Sequence, residues 1–172
     1  MIGSEINGKI VGVIGLGRIG ITAAKFCKSQ GAKVYYTDIL IKRNSLFEFK
    51  SLNYILSTSD IIIVSIPSTT QNANYLTKLK LNLLKKGAII INTSRGEILD
   101  EKYVLNLAKK QLIFYSSDVI QNEQFVENKK IKDLNSHNNI FITNHIAGMT
   151  KESIRLTDQH IYNKFKKFYE KH

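Results

Sequence analysis

Gly15-Leu16-Gly17-Arg18-Ile19-Gly20 follows the apolar run Ile10-Val11-Gly12-Val13-Ile14 and opens a helix-like segment that ends at Gly31. That placement gives the glycines a chemistry. A strand that feeds a tight turn into a helix leaves unpaired backbone N–H groups at the helix start, where they and the helix dipole attract a pyrophosphate. In such a turn Gly15 permits the bend, Gly17 lets phosphates approach the backbone, and Gly20 lets the helix pack against its strand. Asp38 closes the next apolar run, Lys33-Val34-Tyr35-Tyr36-Thr37. An acid about 20 residues beyond the glycines is where the ribose hydroxyls of a bound adenosine are held. Together the two features point to a dinucleotide.

The elements that must position these residues follow from the apolar pattern. Runs of strand length recur at 10–14, 34–36, 61–66, 88–91, 113–115 and 140–142. Runs apolar on both faces are the mark of buried parallel strands. Helix-like segments lie between them at 19–30, 46–57, 79–85 and 101–110, with Gly31 and Gly87 where helices need C-caps and Asp100 where one needs an N-cap. Strands alternating with helices predict an α/β fold, a doubly wound parallel sheet of the Rossmann type, in a single domain. A final segment, 153–171, repeats apolar residues at Ile154, Ile161, Phe165 and Phe168 and should lay one helical face on some surface.

In such sheets ligands bind beyond the carboxyl ends of the strands, where strand order reverses. The segments to inspect are therefore Ser65-Ile66-Pro67, Asn92-Thr93-Ser94-Arg95-Gly96, Ser116-Ser117-Asp118-Val119 and Thr143-Asn144-His145-Ile146-Ala147-Gly148. Three of the four carry a titratable or cationic group.

Composition narrows the alternatives. The 172 residues suit one well-cored domain, and 43% hydrophobic content with a single proline argues for a compact globule. A net charge of +11 invites anionic partners. However, the lysines are scattered, mostly late in helix-like stretches, and no basic stripe interleaves with aromatics, so no nucleic-acid partner is expected. Cys27 is the lone cysteine and reads as a small buried hydrophobe. There is no signal-like apolar core and no apolar run approaching 20 residues, so no membrane association and a cytoplasmic location are expected.

The ordered motifs resemble the D-isomer-specific 2-hydroxyacid dehydrogenases. The family's nucleotide domain carries a strand with GxGxxG, an Asn-Thr-x-Arg-Gly segment, an Asp-Val-x-x-x-Glu segment and a His-Ile-Ala-Gly-like segment. Here these stand as Gly15 to Gly20, Asn92 to Gly96, Asp118-Val119-Ile120-Gln121-Asn122-Glu123 and His145 to Gly148. The resemblance runs from about Gly8 to about Thr150.

It implies a catalytic trio of Arg95, Glu123 and His145. Arg95 would offer a rigid fork of donors to the carboxylate and carbonyl of a 2-hydroxy or 2-keto acid. His145 would exchange a proton with the substrate oxygen while hydride moves between substrate carbon and nicotinamide. Glu123, beside it, would fix the imidazole and favour its protonated form. His137 and His160 have no such setting and read as solvated. The resemblance further implies that Asp118 faces the nicotinamide amide. Gly15, Gly17, Arg18, Ile19, Gly20, Asp38, Pro67, Thr93, Ser94, Arg95, His145, Ala147 and Gly148 surround the cofactor. Asp38 favours NAD, because its carboxylate would repel the 2′-phosphate of NADP, although Lys42 and Arg43 just beyond leave room for NADP tolerance. No metal is implied.

Three positions depart from the family pattern: Gln124 and Asn144 stand where prolines are usual, and Asn72 stands where a threonine is usual. Losing two prolines frees φ in two loops that carry catalytic residues. The glycine loop also lies close to Met1, whereas the family places a substrate-binding domain of about 100 residues before it and closes the active site between the two. The expected organisation is therefore a dinucleotide-binding domain over 1–150 and a C-terminal helix over 151–172, a remnant of the return to a missing substrate domain. The expected function is NAD-dependent transfer of hydride between NAD(H) and a small 2-hydroxy or 2-keto acid, incomplete in the isolated chain. The alternative is a non-catalytic NAD(H)-binding or dimerisation module. A homodimer through the nucleotide domain and a separately encoded substrate domain are the implied partners.

Overall fold

A computed structural model describes residues 4–42 and 46–170. Seven parallel strands form one sheet: β1 (Ile10–Ile14), β2 (Lys33–Thr37), β3 (Glu48–Phe49), β4 (Ile61–Val64), β5 (Ile89–Asn92), β6 (Phe114–Ser117) and β7 (Ile140–Ile142). Their spatial order is β3-β2-β1-β4-β5-β6-β7, so the order reverses between β1 and β4. The glycine loop leaves the end of β1 and therefore opens at that switch point, where α/β sheets bind ligands. This is the doubly wound parallel sheet that the apolar runs predict.

Two apolar layers hold the sheet. One face packs Val11, Val13, Val34 and Tyr36 under α1 (Arg18–Ser29), which contributes Ala24 and the buried Cys27. The other packs Ile62, Val64, Ile90 and Tyr115 under α2 (Leu52–Thr58), α3 (Lys78–Leu81), α4 (Glu101–Lys109) and α5 (Asn128–Asn135). Gly31 and Gly87 adopt φ +84° and +80°, the left-handed conformation that helix ends and turns require. Asp100 accepts from Tyr103 N at 3.0 Å, the expected N-cap of α4.

Three expectations are corrected. The stretch 46–57 is not one helix: Glu48–Phe49 pairs with Tyr35 and Tyr36 as edge strand β3, and the helix starts only at Leu52, where Ser51 caps Tyr54 N at 3.3 Å. The helix expected over 79–85 is the single turn α3, capped by Thr77. Helix α5, absent from the sequence reading, packs only Ile131 and Leu134 against the core among polar neighbours, too short an apolar stripe to read from the sequence.

The final segment forms α6 (Lys151–Tyr169), and none of its residues is buried. Ile154, Ile161, Phe165 and Phe168 are 48–64% exposed. The β6 and β7 side chains Phe114 and Phe141 are likewise 43% and 62% exposed. Among the described residues, Ile154, Ile161 and Phe165 of α6 and Phe114 and Phe141 of the sheet thus present apolar surface to solvent.

Candidate active site

The glycine loop has the dimensions of a phosphate cradle. Gly15 takes φ +92° and donates its N–H to Thr37 O at 2.8 Å, tying the turn to β2. A Cβ on Gly20 would fall 2.0 Å from Gly15 O, so only glycine lets α1 start this close to β1. A Cβ on Gly17 would meet nothing within 4 Å, which is the open approach a phosphate needs. Gly17 is the N-cap of α1 and supplies no side-chain cap, so the first-turn amides remain for a ligand. Asp38 accepts from Leu16 N at 2.8 Å and from Leu40 N at 3.2 Å, which fixes its carboxylate beside the loop. The Lys42 ammonium reaches the Leu16 carbonyl. Arg43 lies outside the described residues.

A cleft of about 500 Å³ runs from this loop, lined by Arg18, Ile19, Ser65, Ile66, Pro67, Ser68, Thr93, Ser94 and Arg95. Its far wall is built from β5 outward. The buried Asn92 side chain donates to Arg95 O at 3.0 Å and accepts from Ser94 N at 3.0 Å, folding residues 92–95 around itself. Ser94 Oγ donates to Val64 O at 3.1 Å and pins the segment to β4. Arg95 Nη1 donates to Ser94 O at 2.8 Å, leaving most of its fork unspent. Asn72 donates from Nδ2 to Pro67 O at 2.9 Å and holds that wall.

Arg95 continues into a depression of about 290 Å³ that Glu123 also lines, and Glu123 shares the next one, about 360 Å³, with His145. The expected pair is formed: His145 Nδ1 lies 2.8 Å from Glu123 Oε1, both side chains about 40% exposed. His145 takes φ +55°, an uncommon conformation for a residue with a Cβ. Asp118 holds it there. The Asp118 carboxylate, 8% exposed, accepts from Thr143 Oγ1 at 2.5 Å and from Ile146 N and Ala147 N, each at 2.9 Å. Burial alone would raise the Asp118 carboxyl; the donors from Thr143, Ala147 and Ile146, with the charge of His145, outweigh it and hold it below the usual range.

The structure thus links Arg95 to Glu123 through one depression and Glu123 to His145 through another, while Arg18 and Ile19 of the glycine loop share the cleft with Arg95. Of the expected site residues, Arg18, Ile19, Pro67, Thr93, Ser94 and Arg95 line the 500 Å³ cleft, and Gly15, Gly17, Gly20, Asp38, Asp118, Glu123, His145, Ala147 and Gly148 do not. Asp118 binds the backbone that carries His145, Ile146 and Ala147. His137 and His160 are exposed, as their settings predict. Sequence reasoning missed Thr143 and Ile146 as Asp118's donors and Asn92 as the organiser of the Arg95 turn. It also missed Glu101, buried at the start of α4. The Asn-Thr-Ser-Arg motif already contained one of these residues.

A parallel sheet with a glycine-rich turn and an acid at its switch point defines a dinucleotide-binding domain. Residues 1–147 match the NAD-binding domain of the D-isomer-specific 2-hydroxyacid dehydrogenases, and the chain belongs to that family. It is 32% identical over 157 residues to a glyoxylate reductase of Thermofilum pendens, covering 88% of this chain and 45% of that protein. It is also 32% identical over 170 residues to a 2-hydroxyacid dehydrogenase homolog of Zymomonas mobilis, covering 90% and 51%. Among solved structures, D-lactate dehydrogenase from Aquifex aeolicus, complexed with NAD and lactic acid, superposes with a TM-score of 0.90. The two are 28% identical, over 98% of this chain and 56% of that one. D-2-hydroxyisocaproate dehydrogenase superposes with a TM-score of 0.81 at 28% identity, over 97% and 56%. The chain spans about half the length of these relatives. Among the described residues no helix is long and apolar enough to cross a membrane, and no cluster of His, Cys, Asp or Glu could hold a metal ion.

Proposed function

We propose that this chain is the cofactor-binding half of an NAD-dependent D-2-hydroxyacid dehydrogenase, interconverting a small 2-keto acid and its 2-hydroxy acid. The observation that carries the proposal is the His145–Glu123 pair, 2.8 Å apart, one depression from Arg95 and reached along the cleft from the glycine loop. NADH, when bound, supplies the hydride to the keto carbon. The chain's own residues do the rest. Gly15, Gly17 and Gly20 with the first turn of α1 hold the pyrophosphate, Asp38 holds the adenosine ribose, and Arg18, Ile19, Pro67, Thr93 and Ser94 wall the cofactor. Asp118 and the 145–148 segment close its nicotinamide end. Arg95 grips the substrate carboxylate and polarises the carbonyl. With Nδ1 committed to Glu123, whose carboxylate favours the imidazolium, the His145 Nε2–H is left to protonate the carbonyl oxygen as hydride arrives, leaving a neutral imidazole. In the reverse direction the neutral imidazole takes the hydroxyl proton.

A second wall must exclude water and seat the rest of the substrate. We assign this to a substrate-binding domain, in the same polypeptide or in another, and the exposed Ile154, Ile161 and Phe165 of α6 with Phe114 and Phe141 supply apolar surface for such a contact. A homodimer through this domain and a cytoplasmic location complete the proposal. Gln124 and Asn144, which stand in the Glu123 and His145 loops where the resemblance implies prolines, favour a second reading, an NAD(H)-binding or dimerisation module without turnover.

NADH binding followed by fluorescence, and reduction of glyoxylate, pyruvate and hydroxypyruvate followed by NADH absorbance, separate the two. Binding without turnover, with or without the complementary domain, favours the module. Where turnover occurs, His145→Gln should abolish it with NADH binding retained; loss of binding instead makes His145 structural.

A further inference from the structure

Glu101 has no part in the machinery just described. It opens α4 directly after the Asp100 cap and is only 6% exposed, where a glutamate ordinarily faces water. Both of its carboxylate oxygens take one donor, the backbone N–H of Gln121, at 3.0 and 3.2 Å. Among the described residues no ion pair includes it. The same peptide presses on Gly96, where a Cβ would fall 2.2 Å from Gln121 N and 2.4 Å from the Ile120 carbonyl carbon. Gly96 follows Arg95 directly. Gln121 precedes Glu123 by two residues, across Asn122 at φ +55°.

We propose that Glu101 is a positioning residue: its carboxylate anchors the Gln121 peptide, and so sets where Glu123 meets His145 and, through Gly96, where Arg95 stands. This rests on reading Arg95, Glu123 and His145 as the catalytic set. The anchor responds to pH. Burial pushes the Glu101 carboxyl up to about 7, against the Gln121 N–H and Lys130 of α5, while Glu97 of the preceding turn adds to the rise. The Tyr115 hydroxyl on β6, itself pushed up to about 12 by burial, also feels the Glu101 charge. An ionised carboxylate accepts an N–H more strongly than a neutral carboxyl does. The anchor therefore tightens as pH rises through neutrality and slackens below it.

A pH titration of the isotopically labelled chain by NMR tests this without cofactor or substrate. The Glu101 carboxyl carbon and the Gln121 amide proton should shift with one midpoint near 7, the amide moving downfield on ionisation, and the Asn122 and Glu123 amides should carry a step at that midpoint. In Glu101→Gln those steps should vanish. A Glu101 carbon that titrates in the ordinary carboxylate range overturns the proposal, as do loop steps that survive in Glu101→Gln. Should that variant not fold, the two wild-type midpoints still decide. NADH titration of the same samples separates the two ideas: binding without the steps removes the anchor alone, and steps without binding remove the catalytic reading.

Discussion

Replacing Gly96 with alanine puts a methyl where the structure has no room for one. The added Cβ would lie 2.2 Å from Gln121 N, 2.4 Å from the Ile120 carbonyl carbon and 2.6 Å from Gln121 Cα. All three are backbone atoms, so no side chain can swing aside. To restore an ordinary contact of 3.4 Å, the 95–98 turn and the 119–122 loop must part by about 1.2 Å. One methyl forced into packed structure costs about 1–3 kcal/mol, and unyielding backbone puts this case near 3. With a urea slope of about 2 kcal/mol per molar, the unfolding midpoint should fall by about 1.5 M. The parting also moves Arg95 relative to Glu123, and a displacement near 1 Å costs about a hundredfold in turnover where the complete active site is assembled. NADH affinity should stay near that of the parent, because the phosphate cradle stands at the other end of the cleft. Urea unfolding by circular dichroism, paired with NADH titration, checks both halves. A midpoint within about 0.3 M of the parent would refute the reasoning, since the two loops could then part freely.

Gly20→Ala places its Cβ 2.0 Å from Gly15 O and must open the phosphate turn, so NADH affinity should fall by about tenfold or more in a fluorescence titration. Asp118→Asn removes the charge that receives Thr143, Ile146 and Ala147, a loss of about 2 kcal/mol in urea unfolding at neutral pH. Because the Asp118 carboxyl is held below its ordinary 3.8, that loss should be complete above this pH and shrink as pH falls through the folded-state value. Glu101 carries the opposite sign. Its carboxyl rises from 4.5 to about 7 on folding, so the wild type should lose stability as pH rises across that window, by about 3 kcal/mol at most, while Glu101→Gln stays flat.

The strands were legible because burial on both faces demands continuous apolar runs: Ile61–Val64 has three of four residues buried and could hardly be anything else. The glycine loop was legible because three backbone constraints each exclude a Cβ or need its absence. Helix α5 was not, since only Ile131 and Leu134 of its eight residues are apolar and the other six are polar or charged. The 46–57 segment misled because Phe49, Leu52 and Leu56 keep helical spacing, and only the pairing of Glu48 and Phe49 with β2 breaks the helix there. Within the site, Arg95, Glu123 and His145 were reachable from motif order. The clamp by Asp118 and the burial of Glu101 were not, because both depend on loops distant in sequence meeting one another. A glutamate one residue past an N-cap looks solvated until the 119–124 loop closes over it.

The proposed function requires a nicotinamide dinucleotide to lie across the Gly15–Gly20 turn toward His145. The most direct test is an NADH titration of the chain by fluorescence, in parallel with Asp38→Ala, which removes the carboxylate held at Leu16 N. Binding should be saturable and one-to-one, and Asp38→Ala should weaken it severalfold. A wild-type chain whose NADH fluorescence stays unchanged to millimolar concentration would contradict the proposed function.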